Sequence, residues 1–139
     1  MATTVADVMA HSPATVSIDA PISEAARQMR VNDIGDVLVL DGGRLAGIVT
    51  DRDIVIRIVA ENKDFNTPVR EACSDGDLIT VTPNTEIEEA AQLMRRKAIR
   101  RLPVVDGDRP VGILSIGDLA IEREETSALA DISAAQPDQ

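Results

Sequence analysis

The sequence is poor in reactive and aromatic side chains. Its 139 residues include one Cys, one His and one Phe, with no Trp or Tyr. A single Cys excludes an internal disulfide and fits a reducing compartment. One Cys and one His cannot complete a Cys/His zinc site within one chain. With almost no rings, there is no platform on which unpaired bases could stack. Positive charge is also scarce: 14 basic residues face 24 acidic ones, for a formal net charge of −10. That charge repels nucleic-acid backbones and anionic membranes. Long apolar runs are missing too. Val37-Leu38-Val39-Leu40 is far short of the roughly 20 residues that span a bilayer. The N-terminal stretch Met1 to Asp7 lacks the basic and apolar regions of a secretion signal. Walker loops, metal triads and nucleophile elbows do not occur. These absences predict a cytoplasmic protein that is not an enzyme, carries no catalytic cofactor, and has no nucleic-acid or membrane partner.

What the chain does have is an internal repeat. Shifted by 65 residues, Thr15 to Asp53 matches Thr80 to Asp118 with 16 identities in 39 positions. Inserting one residue extends the match upstream, pairing Val5–Met9 with Val69–Cys73. Each copy starts with a short β-type run, Thr15–Ile18 or Thr80–Thr82. A helix follows, with Ile22, Ala25, Ala26 and Met29, or Ile87, Ala90, Ala91 and Met94, at i, i+3, i+4 and i+7. Pro21 suits the first turn of one helix, and Thr85 with Glu88 predicts a capping box on the other. Val37–Leu40 reads as a buried strand, Asp41-Gly42-Gly43 as a hairpin turn, and Leu45–Val49 as the returning strand. Thr50 then opens a second helix bearing Ile54, Val55, Ile58 and Val59. The predicted fold is α/β (α+β): two β-α-β-β-α units. Each is too small to be stable alone, so they should pack about a pseudo-two-fold axis. The predicted division is repeat 1 over 1–60, a linker over 61–68, repeat 2 over 69–120, and a polar acidic tail over 121–139. The tail should be helical at first and then disordered.

The sharpest repeated motif is Gly47-Ile48-Val49-Thr50-Asp51-Arg52-Asp53, matched by Gly112-Ile113-Leu114-Ser115-Ile116-Gly117-Asp118. One reading is purely structural. Thr50 or Ser115 caps the helix that follows, and the Asp sits near its positive end. The other reading is chemical: a carboxylate offers two acceptor oxygens, which suits a vicinal diol such as a ribose. Both stay open at this point.

The duplicated unit ending in Gly, two aliphatics, Ser or Thr, two variable residues and Asp resembles a pair of cystathionine-β-synthase (CBS) domains, a Bateman module. The resemblance covers Val5 to Ala120, and Thr50-Asp51-Arg52-Asp53-Ile54-Val55 resembles small stand-alone bacterial CBS-pair proteins. It implies a non-catalytic regulatory module that binds an adenosyl ligand in clefts between the repeats and signals to an unidentified effector protein. AMP or ATP leads among the ligands, with ADP, NAD and S-adenosylmethionine as further candidates, and energy sensing is the implied role. It also implies a homodimer formed through helices, here through Ile54, Val55, Ile58, Val59 and the segment Leu119 to Ile121.

Carried over residue by residue, the resemblance assigns Thr50 and Asp53 to the ribose of one cleft and Ser115 and Asp118 to that of the other. Base recognition falls to Ile79, Thr80 and Ile99 in the first cleft, and to Ala14, Thr15 and Ile34 in the second. For Ile34 and Ile99, core packing is an equal alternative. Residues just before the central strand approach the ligand's phosphates. Arg100 and Arg101 therefore serve the Asp53 cleft, where guanidinium forks suit phosphate. The equivalents beside the Asp118 cleft are Gly35 and Asp36, and Asp36 would repel a phosphate. The Asp53 cleft is thus expected to be the stronger nucleotide site. His11 is expected to be solvent-exposed and Cys73 to be a small buried hydrophobe. The competing reading is a ligand-free dimeric scaffold with vestigial clefts.

Overall fold

The computed structural model describes residues 3–73 and 78–121. The 122–139 part of the expected tail lies outside them. The elements run β1 (Ala10–His11), β2 (Thr15–Ser17), α1 (Ile22–Asn32), β3 (Asp36–Asp41), β4 (Arg44–Thr50), α2 (Asp51–Ile54), α3 (Ile87–Lys97), β5 (Arg101–Asp106) and β6 (Arg109–Ser115). Short 3-10 turns at Val5–Asp7 and Val69–Glu71 precede the two repeats, and a helical segment begins at 116. One sheet has the order β2-β3-β4 and the other β1-β6-β5. The expected mixed fold of two related units is the one observed.

The repeats match in detail. The helices α1 and α3 each end in a left-handed residue, Asp33 at φ 53° and Ala98 at φ 54°. In both, the following N–H closes onto a Met carbonyl: Ile34 onto Met29 and Ile99 onto Met94, each at 3.0 Å. Gly42 and Gly43 both have positive φ, as the two-residue turn between Asp41 and Arg44 requires. Both hairpins carry a register shift at equivalent places, Val39/Leu40 and Val104/Val105.

Two differences from expectation have clear causes. The run Thr80–Thr82 is reduced to a single bridge, Val81 to Val104. In repeat 1 the ladder is extended by Leu38 N–H donating to the Ala14 carbonyl and by Ile18 N–H donating to Leu40. The equivalent residues in repeat 2 are Pro103 and Pro83, which have no N–H to give. The Thr85–Glu88 capping box does not form either. Glu86 is the N-cap of α3 and makes no side-chain cap bond. Instead the Thr3 carbonyl accepts from Ile87 N–H at 3.0 Å, and Thr85 Oγ1 accepts from Thr82 N–H at 3.1 Å. A distant backbone group therefore satisfies the helix start.

That contact belongs to an exchange between the repeats. Val5 and Met9 are buried in the core of repeat 2, against Val81, Ile87, Met94 and Leu102. Val69, Ala72 and Cys73 are buried in the core of repeat 1, against Ile18, Ile22 and Val49. The two crossings follow the same pattern: Val5 N–H donates to Thr85 and Val69 N–H to Ala20, both at 2.8 Å. β1 then adds to repeat 2 by pairing Ala10 with Ile113 and His11 with Gly112. At the surface, Asp19 accepts a hydrogen bond from Arg70 at 2.5 Å. That bond, with its Coulomb attraction, pushes the guanidinium above its ordinary range.

The second helix of repeat 1 also departs from the α-helical expectation. After Ile54 it widens into a π-helical turn over Val55–Val59. Ala60 N–H reaches back to Val55 and Lys63 N–H to Ile58. Within this turn Ile58 is buried, while Val55 and Val59 are left exposed.

Candidate functional site

The two motifs form the same structure. Thr50 N–H donates to Asp53 Oδ2 at 3.0 Å, and Asp53 N–H donates to Thr50 Oγ1 at 3.1 Å. Ser115 and Asp118 repeat the arrangement at 3.0 and 3.1 Å. All four residues are half-buried. The capping box of the structural reading is therefore present in both repeats. It engages one oxygen of each carboxylate and fixes the rotamer. The second oxygen has no hydrogen-bond partner among the described residues.

The residues expected to recognise bases lie in two different settings. Ala14 and Ile34 line a cavity of about 410 Å³ between the repeats, together with Leu38, Asp36, His11 and, from repeat 2, Ile113. That volume is in the range of small-molecule sites. Thr15 and Gly35 adjoin lining residues without lining the cavity themselves. The Thr15 carbonyl accepts from Gln28, another lining residue, at 3.4 Å. Ser115 ends the strand that carries Ile113, Asp118 lies in the helical segment that follows, and neither is a lining residue. Around the other cleft, Ile79, Thr80 and Ile99 are half-buried. Ile79 and Ile99 pack on the core of repeat 2. The preceding segment, 74–77, lies outside the described residues.

Arg100 is exposed, but Arg101 is engaged. Its guanidinium forms an ion pair with Asp36, across the boundary between the repeats. Asp36 and Arg101 are equivalent residues 65 apart, so the pair sits where the pseudo-two-fold axis brings the starts of β3 and β5 together. No local pattern in the sequence signals that these two charges meet.

Three further residues, without a site signal in the sequence, stand near the clefts. Asp51 N–H donates to the Gly35 carbonyl at 3.0 Å, and a Cβ on Gly35 would lie 3.2 Å from Asp51 Oδ2. The Asp51 carboxylate thus covers the lip beside Asp36. His11 is exposed, as expected, but also lines the cavity. Arg57, on the π-helical turn, donates to the carbonyls of Ala72 and Cys73 at 3.1 and 3.3 Å. This ties the helical stretch after Asp53 to the segment that completes the core of repeat 1. Periodicity carries no signal for such side chain-to-backbone clamps. Cys73 is buried. Among the described residues, no group of three or more His, Cys, Asp or Glu could hold a metal. No helix there is long and apolar enough to cross a membrane.

Comparison with known proteins agrees with this geometry. The family model of the CBS domain matches residues 5–60 and 66–125. The chain is 43% identical to the CBS domain-containing protein YhcV of Bacillus subtilis, over 93% of this chain and 94% of that one. It is 35% identical to hypoxic response protein 1 of Mycobacterium tuberculosis, over 85% of this chain and 83% of that one. Among solved structures it is similar to the CBS domain pair of the protein MJ0100, crystallised with 5′-methylthioadenosine and S-adenosyl-L-methionine. There the TM-score is 0.79 at 28% identity, covering 91% of this chain and 99% of that one.

Proposed function

This chain belongs to the CBS-domain family, and on that premise we propose that it is a non-catalytic regulatory module that binds adenosyl ligands between its repeats. The observation that carries the reading is the cavity of about 410 Å³ at the repeat boundary, apolar at Ala14, Ile34 and Leu38 and charged at Asp36. Apolar walls with few polar groups suit a purine. Asp53 and Asp118 would hold riboses through the carboxylate oxygens that the caps leave over. The Asp53 cleft, with Arg100 and Arg101 at its lip, would take AMP or ATP. The complex of 5′-methylthioadenosine and S-adenosyl-L-methionine with a similar CBS pair supports the adenosyl class.

A ligand can shift the arrangement of the repeats only through different affinity for the two states. The Asp36–Arg101 pair supplies such a difference, because a phosphate in the Asp53 cleft competes with Asp36 for Arg101. The signal would pass through a helix-mediated homodimer to an effector protein in the cytoplasm.

Calorimetry with AMP, ATP, NAD and S-adenosylmethionine tests the proposal on wild type, Asp53→Asn and Asp118→Asn. Asn retains a cap acceptor but removes the carboxylate charge. At least one compound should bind the wild type, and one substitution should weaken it tenfold or more. Binding of none would favour the scaffold, a reading supported by capping boxes that are complete without ligand.

A further inference from the structure

The two lips of the module carry opposite charge. On repeat 1 the lip is Gly35-Asp36, with Asp51 N–H bonded to the Gly35 carbonyl at 3.0 Å. On repeat 2 it is Arg100-Arg101, with Ile116 N–H bonded to the Arg100 carbonyl at 2.9 Å. These are equivalent contacts 65 residues apart. Two carboxylates on one side thus correspond to two guanidiniums and an aliphatic side chain on the other.

The repeat 1 lip borders the cavity of about 410 Å³. Asp36 lines that cavity and Arg101 does not. The ion pair therefore presents its negative end to the interior. Asp51 does not line the cavity but places a second, exposed carboxylate at its lip, where Oδ2 would lie 3.2 Å from a Cβ on Gly35. The other polar lining groups include Gln28, Asn32 and His11. The two amides are neutral and add no charge of their own. A purine seated on Ala14, Ile34 and Leu38 would have Asp36 as the one carboxylate among the lining residues.

We propose that Asp36 and Asp51 set the charge selectivity of this cavity: it takes an adenosyl ligand whose 5′ substituent is neutral or cationic, such as a thioether or a sulfonium with an ammonium group, and excludes 5′-phosphates. The two clefts then read different classes of metabolite. This rests on the adenosyl-binding function proposed above and adds which class enters which cleft.

The test is calorimetry at pH 8 on the Asp53→Asn protein, which disables the opposite cleft. The probes are 5′-methylthioadenosine, S-adenosylmethionine and AMP. At least one of the first two should bind ten times or more as tightly as AMP. Adding Asp36→Asn and Asp51→Asn should shrink that ratio below about threefold by improving AMP binding. Asp51→Asn alone, at an exposed position, should shrink it part of the way should Asp36→Asn impair folding. Equal binding of AMP and 5′-methylthioadenosine, a ratio indifferent to the acidic residues, or loss of all binding in Asp53→Asn would each overturn the proposal while leaving adenosyl binding by the wild type intact. Failure of every probe on the wild type would instead overturn the function on which it rests.

Discussion

Ala98 ends α3 in a left-handed conformation at φ 54°, where a Cβ is crowded by the backbone. The residue is exposed, so its side chain contributes little packing in return. Ala98→Gly should therefore raise stability by about 0.5–1 kcal/mol, net of the extra freedom glycine gains in the unfolded chain. A higher urea midpoint with an unchanged slope would show it. A lower midpoint would mean that the αL cap carries no strain. The equivalent Asp33 should gain less from the same change, because Asp tolerates this region better than Ala. At this scale the motif residues were legible in the sequence. Gly-x-x-[Ser/Thr]-x-x-Asp occurs twice at matched spacing, and its capping geometry is local. The Asp36–Arg101 pair was not legible. Its partners are 65 residues apart, and only the packing of the two repeats brings them together.

Elements were legible wherever their pattern was local. The periodic apolar positions of α1 and α3, the glycine turn and the strand β3 all follow from near neighbours in sequence. β1 did not: two residues, both exposed, carry no alternation to read. It exists because β6 offers an edge to it. Gly112 records how close that approach is. A Cβ there would lie 2.9 Å from the Ala10 carbonyl oxygen and closer still to Met9 Sδ. Gly112→Ala should therefore cost about 1–3 kcal/mol, as overpacking does. Limited proteolysis should also cut sooner near the N-terminus, as β1 loses its seat. Gly117→Ala, whose new Cβ would meet only Ser115 Oγ at 3.6 Å, should be neutral or stabilising and serves as the control. Equal losses in the two variants would contradict the close approach.

Across the whole molecule, the exposed aliphatic side chains gather on helical segments. Val55, Val59, Ile116 and Ile121 are each more than half exposed. Beside them lie a groove of about 640 Å³ bordered by Ile22, Ala26, Ile54 and Phe65, and a smaller one bordered by Ala91, Met94 and Leu119. In the helix-mediated homodimer proposed above, these two grooves, related by the repeat, would form the interface. Sedimentation should show a wild-type dimer and a monomeric Val59→Glu/Ile116→Glu variant with an unchanged far-UV spectrum. A monomeric wild type would refute the assembly.

The sequence by itself determined the duplication, the helices α1 and α3, the central hairpins, the Thr50–Asp53 and Ser115–Asp118 capping motifs and the acidic overall balance. All of these depend on composition or on contacts within a few residues. The expected first strand of repeat 2 is reduced to one bridge in the structure, because Pro83 and Pro103 lack the donors that Ile18 and Leu38 supply. Only the tertiary structure decided that each repeat's core is completed by the segment preceding the other. Hydrophobic burial is non-directional and indifferent to chain order, so apolar residues in sequence cannot say which core they join. The same packing placed a carboxylate against a guanidinium at the axis and an acidic wall on one cavity. The charges are written in the sequence, but which cavity feels them depends on distance.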